Sequence, residues 1–198
     1  LSVFNPNNYD VVECRKQYNL SDDVVAIGIL AVLRQFKRHD LFLEMAKSII
    51  EKYPNKKFVF LIAGDGPQKN TIKKFINDLN LTSHVMFLGH VDKVSEFLSA
   101  IDILVLSSDS KEGVPQSVMQ GLFMNKSVVA TNSGSTKDLL NNNNFQLVGT
   151  DSAVELIKGV SYYIDNNNIR PNEVFIDEKF SLKFMSRRIV RIYNHLLS

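Results

Sequence analysis

The sequence predicts an α/β domain, a doubly wound parallel sheet of about six strands with helices between them. Short runs rich in β-branched residues alternate with longer segments of helical period, the pattern of parallel strands joined by crossover helices. Hydrophobic residues make up 44% and charged residues 22% of the 198, which are ordinary globular values and exclude a disordered or fibrous chain. A chain of this length buries about 70% of its unfolded surface, enough for a core without disulfide or metal staples.

The elements follow in order. Residues 1–23, containing Phe4-Asn5-Pro6, read as a linker and the opening of the domain. Strands are expected over residues 24–31, 57–63, 85–88, 101–106, 127–131 and 145–148. A helix over residues 40–52 places Leu41, Met45, Ser48 and Ile49 on one stripe, with Pro54 beyond its end. Pro67 is placed as the first residue of the next helix, whose apolar face is Thr71, Ile72, Phe75, Ile76 and Leu79. Further helices fit residues 94–100, 115–124, 153–165 and 182–197. The last closes the chain after a domain spanning residues 24–178. Its stripe of Leu182, Met185, Ile189, Ile192 and Leu196 either docks on the core or, with the basic Lys183, Arg187, Arg188 and Arg191, favours a membrane surface.

Composition narrows the function classes. Twenty-three Lys and Arg against 21 Asp and Glu give a net charge of +2, too balanced to point to nucleic acid. Cys14 is the only cysteine, so a reducing, cytoplasmic setting is expected, with no internal disulfide and no cysteine cluster for zinc. The longest apolar run, residues 24–33, is about half of the roughly 20 residues that span a bilayer, and no signal-peptide order opens the chain. A first residue of Leu1 rather than Met reads as a piece of a longer protein. The asparagine runs at 141–144 and 166–168 read as solvated loop.

A doubly wound sheet binds ligands at the carboxyl ends of its strands. Three loops there stand out: residues 32–40, 64–67 and 107–116. Neither a G-x-G-x-x-G after the first strand nor a P-loop is present, which removes the main support for dinucleotide and P-loop chemistry. Arg34, Lys37 and Arg38 with His39 precede a helix, where free N–H groups and side-chain cations can hold a phosphate or where the charges are merely solvated. Gly64-Asp65-Gly66-Pro67 is a tight turn whose glycines serve the turn alone or admit a ligand. His90 after Gly89 fills a loop or borders a ligand. In the segment from Ser107 to Ser117, Glu112 stands before Gly113 and the start of a helix. A carboxylate for hydroxyls beside helix amides for phosphate suits a ligand that carries both, and plain capping is the alternative. Gln120 lies eight residues after Glu112 and would face the same place.

In this order, Lys37-Arg38-His39-Asp40-Leu41, Ala63-Gly64-Asp65-Gly66-Pro67, Val85-Met86-Phe87-Leu88-Gly89, the strand ending Leu106-Ser107-Ser108, Glu112-Gly113-Val114-Pro115 and Ser127 to Ser135 form a series. The series resembles the C-terminal, donor-binding half of retaining glycosyltransferases of the GT-B fold, family 4 above all. The resemblance implies a Rossmann-like domain that binds a nucleotide-sugar without a metal cofactor. It implies that Lys37 neutralises the donor diphosphate and that Glu112 holds hydroxyls of the transferred sugar. Backbone from Gly113 through Val114, Pro115 and Gln116 to Ser117 would cradle the diphosphate. Gly64 would admit the donor, and Leu88, Gly89 and His90 would border the base. Two positions depart from the family pattern. Gln120 stands where a second glutamate usually binds the ribose, and Val32 where an arginine is expected, with Arg34 two residues on.

By the same resemblance the acceptor, a glycan or glycolipid of a surface polysaccharide such as capsule or lipopolysaccharide, is held by an N-terminal half outside this chain. The isolated chain is then expected to bind nucleotide but not to transfer sugar. Cytoplasmic work with a peripheral contact at the inner membrane face fits this expectation, and nucleic acid does not. A non-catalytic relative that binds nucleotide-sugar or a partner protein, and a nucleotide-sugar epimerase, are the rival readings.

Overall fold

A computed structural model describes residues 3–109, 113, 115–139, 145–166, 186, 187, 190, 191 and 193. Six strands, β1 (Val24–Leu30), β2 (Lys57–Ala63), β3 (Val85–Gly89), β4 (Ile103–Leu106), β5 (Ser127–Thr131) and β6 (Phe145–Val148), form one sheet in the order β3-β2-β1-β4-β5-β6. Every pairing is parallel. The described helices of more than one turn are α1 (Val11–Lys16), α2 (His39–Lys52), α3 (Lys69–Asp78), α4 (Val94–Ala100), α5 (Gln116–Phe123) and α6 (Ala153–Asp165).

Alternation along the strands builds two cores. Ile27, Ile29, Phe60, Ile62, Ile103, Val105 and Val129 point to the layer that contains α2, α3 and α6. Ala26, Leu61, Ala63, Leu104, Leu106, Val128 and Ala130 point to the layer of α1, α4 and α5. Both faces are covered, so the strands read as largely apolar runs, as in parallel sheets generally. The strand order reverses between β1 and β4, and the crevice outside the carboxyl ends of these two strands is the topological switch point where such sheets bind ligands.

Three departures from the sequence expectation have a local cause, while β1, β3, α2 and α5 differ from it by one residue at one or both ends. Pro67 is not the first helical residue: α3 starts at Lys69 after Gln68, whose N–H donates to the Leu33 carbonyl at 3.0 Å. β4 starts at Ile103 rather than 101, because the Ile101 N–H closes α4 on Phe97 and the Asp102 N–H donates to Ala26. Part of residues 1–23, expected as a linker and the opening of the domain, packs with the domain. Asp10 caps α1 by accepting from Val12 and Glu13, and Arg15 is buried against Asp102 at 3.1 Å. The arginine also donates to the carbonyls of Ser21, Val24 and Ala100. Of the closing helix expected over 182–197, residues 186, 187, 190, 191 and 193 are described and helical, and its stripe of Leu182, Met185, Ile189, Ile192 and Leu196 lies outside the described residues. No described helix is long and apolar enough to cross a membrane.

Candidate functional site

The loops leaving the strands are stitched to one another along the carboxyl edge. Gly64 N–H donates to the Gly89 carbonyl at 2.7 Å, which ties β2 to β3. Leu33 N–H donates to the Asp65 carbonyl at 3.0 Å, tying β1 to β2. Across the switch point Asp109 N–H donates to the Phe36 carbonyl at 2.8 Å, and Ser107 Oγ donates to the Lys37 carbonyl at 2.8 Å. Thr131 Oγ1 continues the line by donating to Ser108 at 2.6 Å. The structure thus gathers the three loops singled out in the sequence onto one edge, with residues 34–37 and 107–109 side by side.

Within the first loop the cations divide. Lys37 is buried but for 9% of its surface, its ammonium 5.2 Å from the centroid of the Phe36 ring. Arg38 takes the left-handed conformation, φ 48 and ψ 50, and grips Asp40 and Asp151, so it serves structure rather than an incoming anion. Arg34 is exposed and lines a groove of about 850 Å³ between α3 and the start of α2, shared with Phe36, Lys74, Phe75 and Asp109. Val32, at the position where the resemblance expects an arginine, is exposed.

His39 opens α2, is 3% exposed, and its Nε2 has no partner among the described residues. Burial holds its imidazole near a pKa of about 4, against the attraction of Asp40. The unfolded chain therefore takes up this proton first, near pH 6.5, and stability falls as pH drops from about 6.5 to about 4, by up to roughly 3 kcal/mol. Above that window the contribution is complete. His39→Gln is expected to flatten this part of the profile, measured as the urea midpoint between about pH 7 and pH 4.5.

Gly64 has φ +149, and a Cβ there would lie 1.9 Å from the Ala31 carbonyl oxygen. What presses on this glycine is the loop after β1, so contact between two loops by itself requires glycine here. Gly64→Ala is expected to cost about 2–3 kcal/mol of stability, read by denaturant unfolding, through clash and backbone strain. Gly89, φ +72, meets nothing within 4 Å of its would-be Cβ. Leu88 is half-buried beside the second core, and His90 is exposed with Nε2 3.2 Å from Asp92.

α5 begins at Gln116 after Pro115, an N-cap residue whose side chain makes no hydrogen bond to the first N–H groups. Pro115 is buried, Gly113 and Gln116 are exposed, and Ser117 and Gln120 are half-buried on this helix. Glu112 and Val114 lie outside the described residues. Among the described residues no group of three or more His, Cys, Asp or Glu side chains is placed to hold a metal ion. Ser107 and the Arg38–Asp151 pair had no role in the sequence reading. A fully buried serine at a strand end is the only local signal of the first, and 113 positions separate the second pair.

Residues 11–177 match the family described as "Glycosyl transferases group 1". This chain belongs to the group 1 glycosyl transferases. A glycosyltransferase of uncharacterised role from Methanocaldococcus jannaschii is 34% identical over 136 residues, 64% of this chain and 32% of the relative. The O-antigen biosynthesis glycosyltransferase WclY of Escherichia coli is 22% identical over 187 residues, 92% of this chain and 50% of WclY. The chain thus spans between about a third and a half of the length of these relatives.

Solved structures share the fold of this group 1 glycosyl transferase. Anabaena HepE in complex with UDP and glucose matches with a TM-score of 0.82 at 18% identity, over 96% of this chain and 54% of HepE. A C-terminal domain of the group 1 protein LpcC from Francisella tularensis matches with a TM-score of 0.73 at 21% identity, over 85% of this chain and 89% of that domain. At these identities the likeness is one of fold. The expected Rossmann-like sheet of the GT-B glycosyltransferases is the sheet observed.

Proposed function

We propose that this chain is the donor-binding half of a retaining glycosyltransferase that transfers a sugar from a nucleotide-sugar to a surface-polysaccharide or glycolipid acceptor. The observation that carries the reading is the switch-point crevice. There the loop bearing Lys37 is stapled to the end of β4, on the path into the start of α5. An ammonium and the N–H groups of a helix start together suit a departing diphosphate, since both act where negative charge develops. At 4 Å and an effective dielectric near 20, one such contact is worth about 4 kcal/mol of Coulomb attraction before desolvation.

In this reading Glu112 holds sugar hydroxyls, and Gln120 takes the ribose as a neutral partner, weaker than a carboxylate. Leu88, Gly89 and His90 border the base. No metal is called on, because Lys37 and the amides from Gly113 to Ser117 meet the charge. Support comes from the UDP held by HepE, from the role of WclY in O-antigen biosynthesis, and from the match to an isolated C-terminal domain. The acceptor falls to a further half of the protein, and the work is placed in the cytoplasm, with a peripheral membrane contact.

Val32 favours a second reading, a relative that binds donor but no longer transfers, because no cation stands at the position where the resemblance expects one. Turnover of nucleotide-sugars by the full-length protein and its Val32→Arg variant separates the two. An active enzyme turns over one donor, and Val32→Arg, at an exposed site that need not bury the new charge, raises kcat/KM at least about tenfold. Turnover by neither protein supports the non-catalytic reading.

A further inference from the structure

Two of the hydrogen bonds across the switch point hold successive carbonyls of one short stretch of chain. Ser107, fully buried at the end of β4, donates its hydroxyl to the Lys37 carbonyl at 2.8 Å, and Asp109 N–H donates to the Phe36 carbonyl at 2.8 Å. The Phe36 ring, held by its own backbone, lies 5.2 Å from the Lys37 ammonium. On the other flank Arg38 is kept left-handed by Asp40 at 2.9 Å and Asp151 at 2.7 Å. Behind Ser107, Thr131 Oγ1 fixes the Ser108 carbonyl from β5.

We propose that Ser107 is a positioning residue for Lys37: by fixing the Lys37 carbonyl it sets the point from which the ammonium reaches a diphosphate in the crevice. This rests on the donor-site reading above. Lysine is a point charge on a flexible stem, so its placement depends on where its backbone is anchored. A shift of about 1 Å at a separation of about 4 Å removes about a fifth of the Coulomb attraction. The Ser107 hydroxyl touches the Lys37 backbone and not its ammonium, so it acts only through Lys37.

The test is a double-mutant cycle on this chain, read as the Kd for UDP and GDP by calorimetry. Ser107→Ala is expected to weaken binding roughly fivefold in the parent, and by less than about twofold in a Lys37→Ala background. Ser107→Thr, which keeps the hydroxyl, is expected to stay within about twofold of the parent. Should Ser107→Ala fail to fold, Ser107→Cys keeps the volume, donates only weakly, and carries the same cycle. Equal weakening in both backgrounds, or unchanged binding in a folded Ser107→Ala chain, overturns the role of Ser107. Unchanged binding in Lys37→Ala alone, or no binding of either nucleotide by the parent, overturns the donor-site reading itself.

Discussion

Lys37→Ala in the full-length protein is expected to lower kcat for sugar transfer by about 10²–10³-fold, the usual cost of deleting one charge-stabilising donor from a water-poor site. The effect is large because the lysine is poised rather than solvated. Its side chain is almost wholly buried against Phe36, its carbonyl is held by Ser107, and the next residue is clamped by two carboxylates. The loss is expected in kcat more than in KM, since the charge on the diphosphate grows as the sugar departs. Lys37→Arg keeps the charge but changes its reach and hydration, and should fall between the two. Thermal melting of the alanine variant should stay within about 4 °C of the parent. A transfer assay run beside the melt separates lost chemistry from lost fold.

Asp102→Ala is expected to destabilise the domain by about 3–5 kcal/mol, the cost of leaving a buried charge without its partner. Asp102 and Arg15 are 3% and 2% exposed. The carboxylate accepts from Arg15 at 3.1 Å and from the Ala26 N–H at 2.8 Å, joining the start of β4 to β1 and to α1. Without it the guanidinium would keep its three backbone carbonyls but not its counter-charge. For a domain of this size the melting temperature should fall by about 6–20 °C. Asp102→Asn, which can still accept from Ala26, is expected to lie between. Calorimetric melts of the three proteins at neutral pH check the order.

The sheet was legible because both its faces are buried. Residues 58–63 and 128–130 are apolar without a break, and the strands over 57–63, 127–131 and 145–148 have the expected bounds. The carboxyl-edge location of the candidate site is an expectation from that topology, since the loops that leave the strands gather there. α1 was not legible: it has six residues, Val11 and Val12 are exposed, and no apolar stripe repeats. It is held by the Asp10 cap and by Arg15, whose partner is 87 positions away. Periodicity carries no information at that distance. The same applies to Arg38 and Asp151, and to the Ser107 hydroxyl on Lys37, 70 positions apart. Lys37 itself was singled out by resemblance, because three adjacent cations look alike in sequence. Only the fold divides them into one that lies buried beside a ring, one that is clamped and one that lines a groove.

The most direct measurement is a calorimetric titration of this chain with UDP, GDP and ADP, beside Lys37→Ala and Glu112→Ala. Saturable binding of one base, weakened at least about tenfold by Lys37→Ala, is the predicted result. No saturable binding at millimolar nucleotide, or binding that Lys37→Ala leaves unchanged, would contradict a donor site at the β1–β4 crevice.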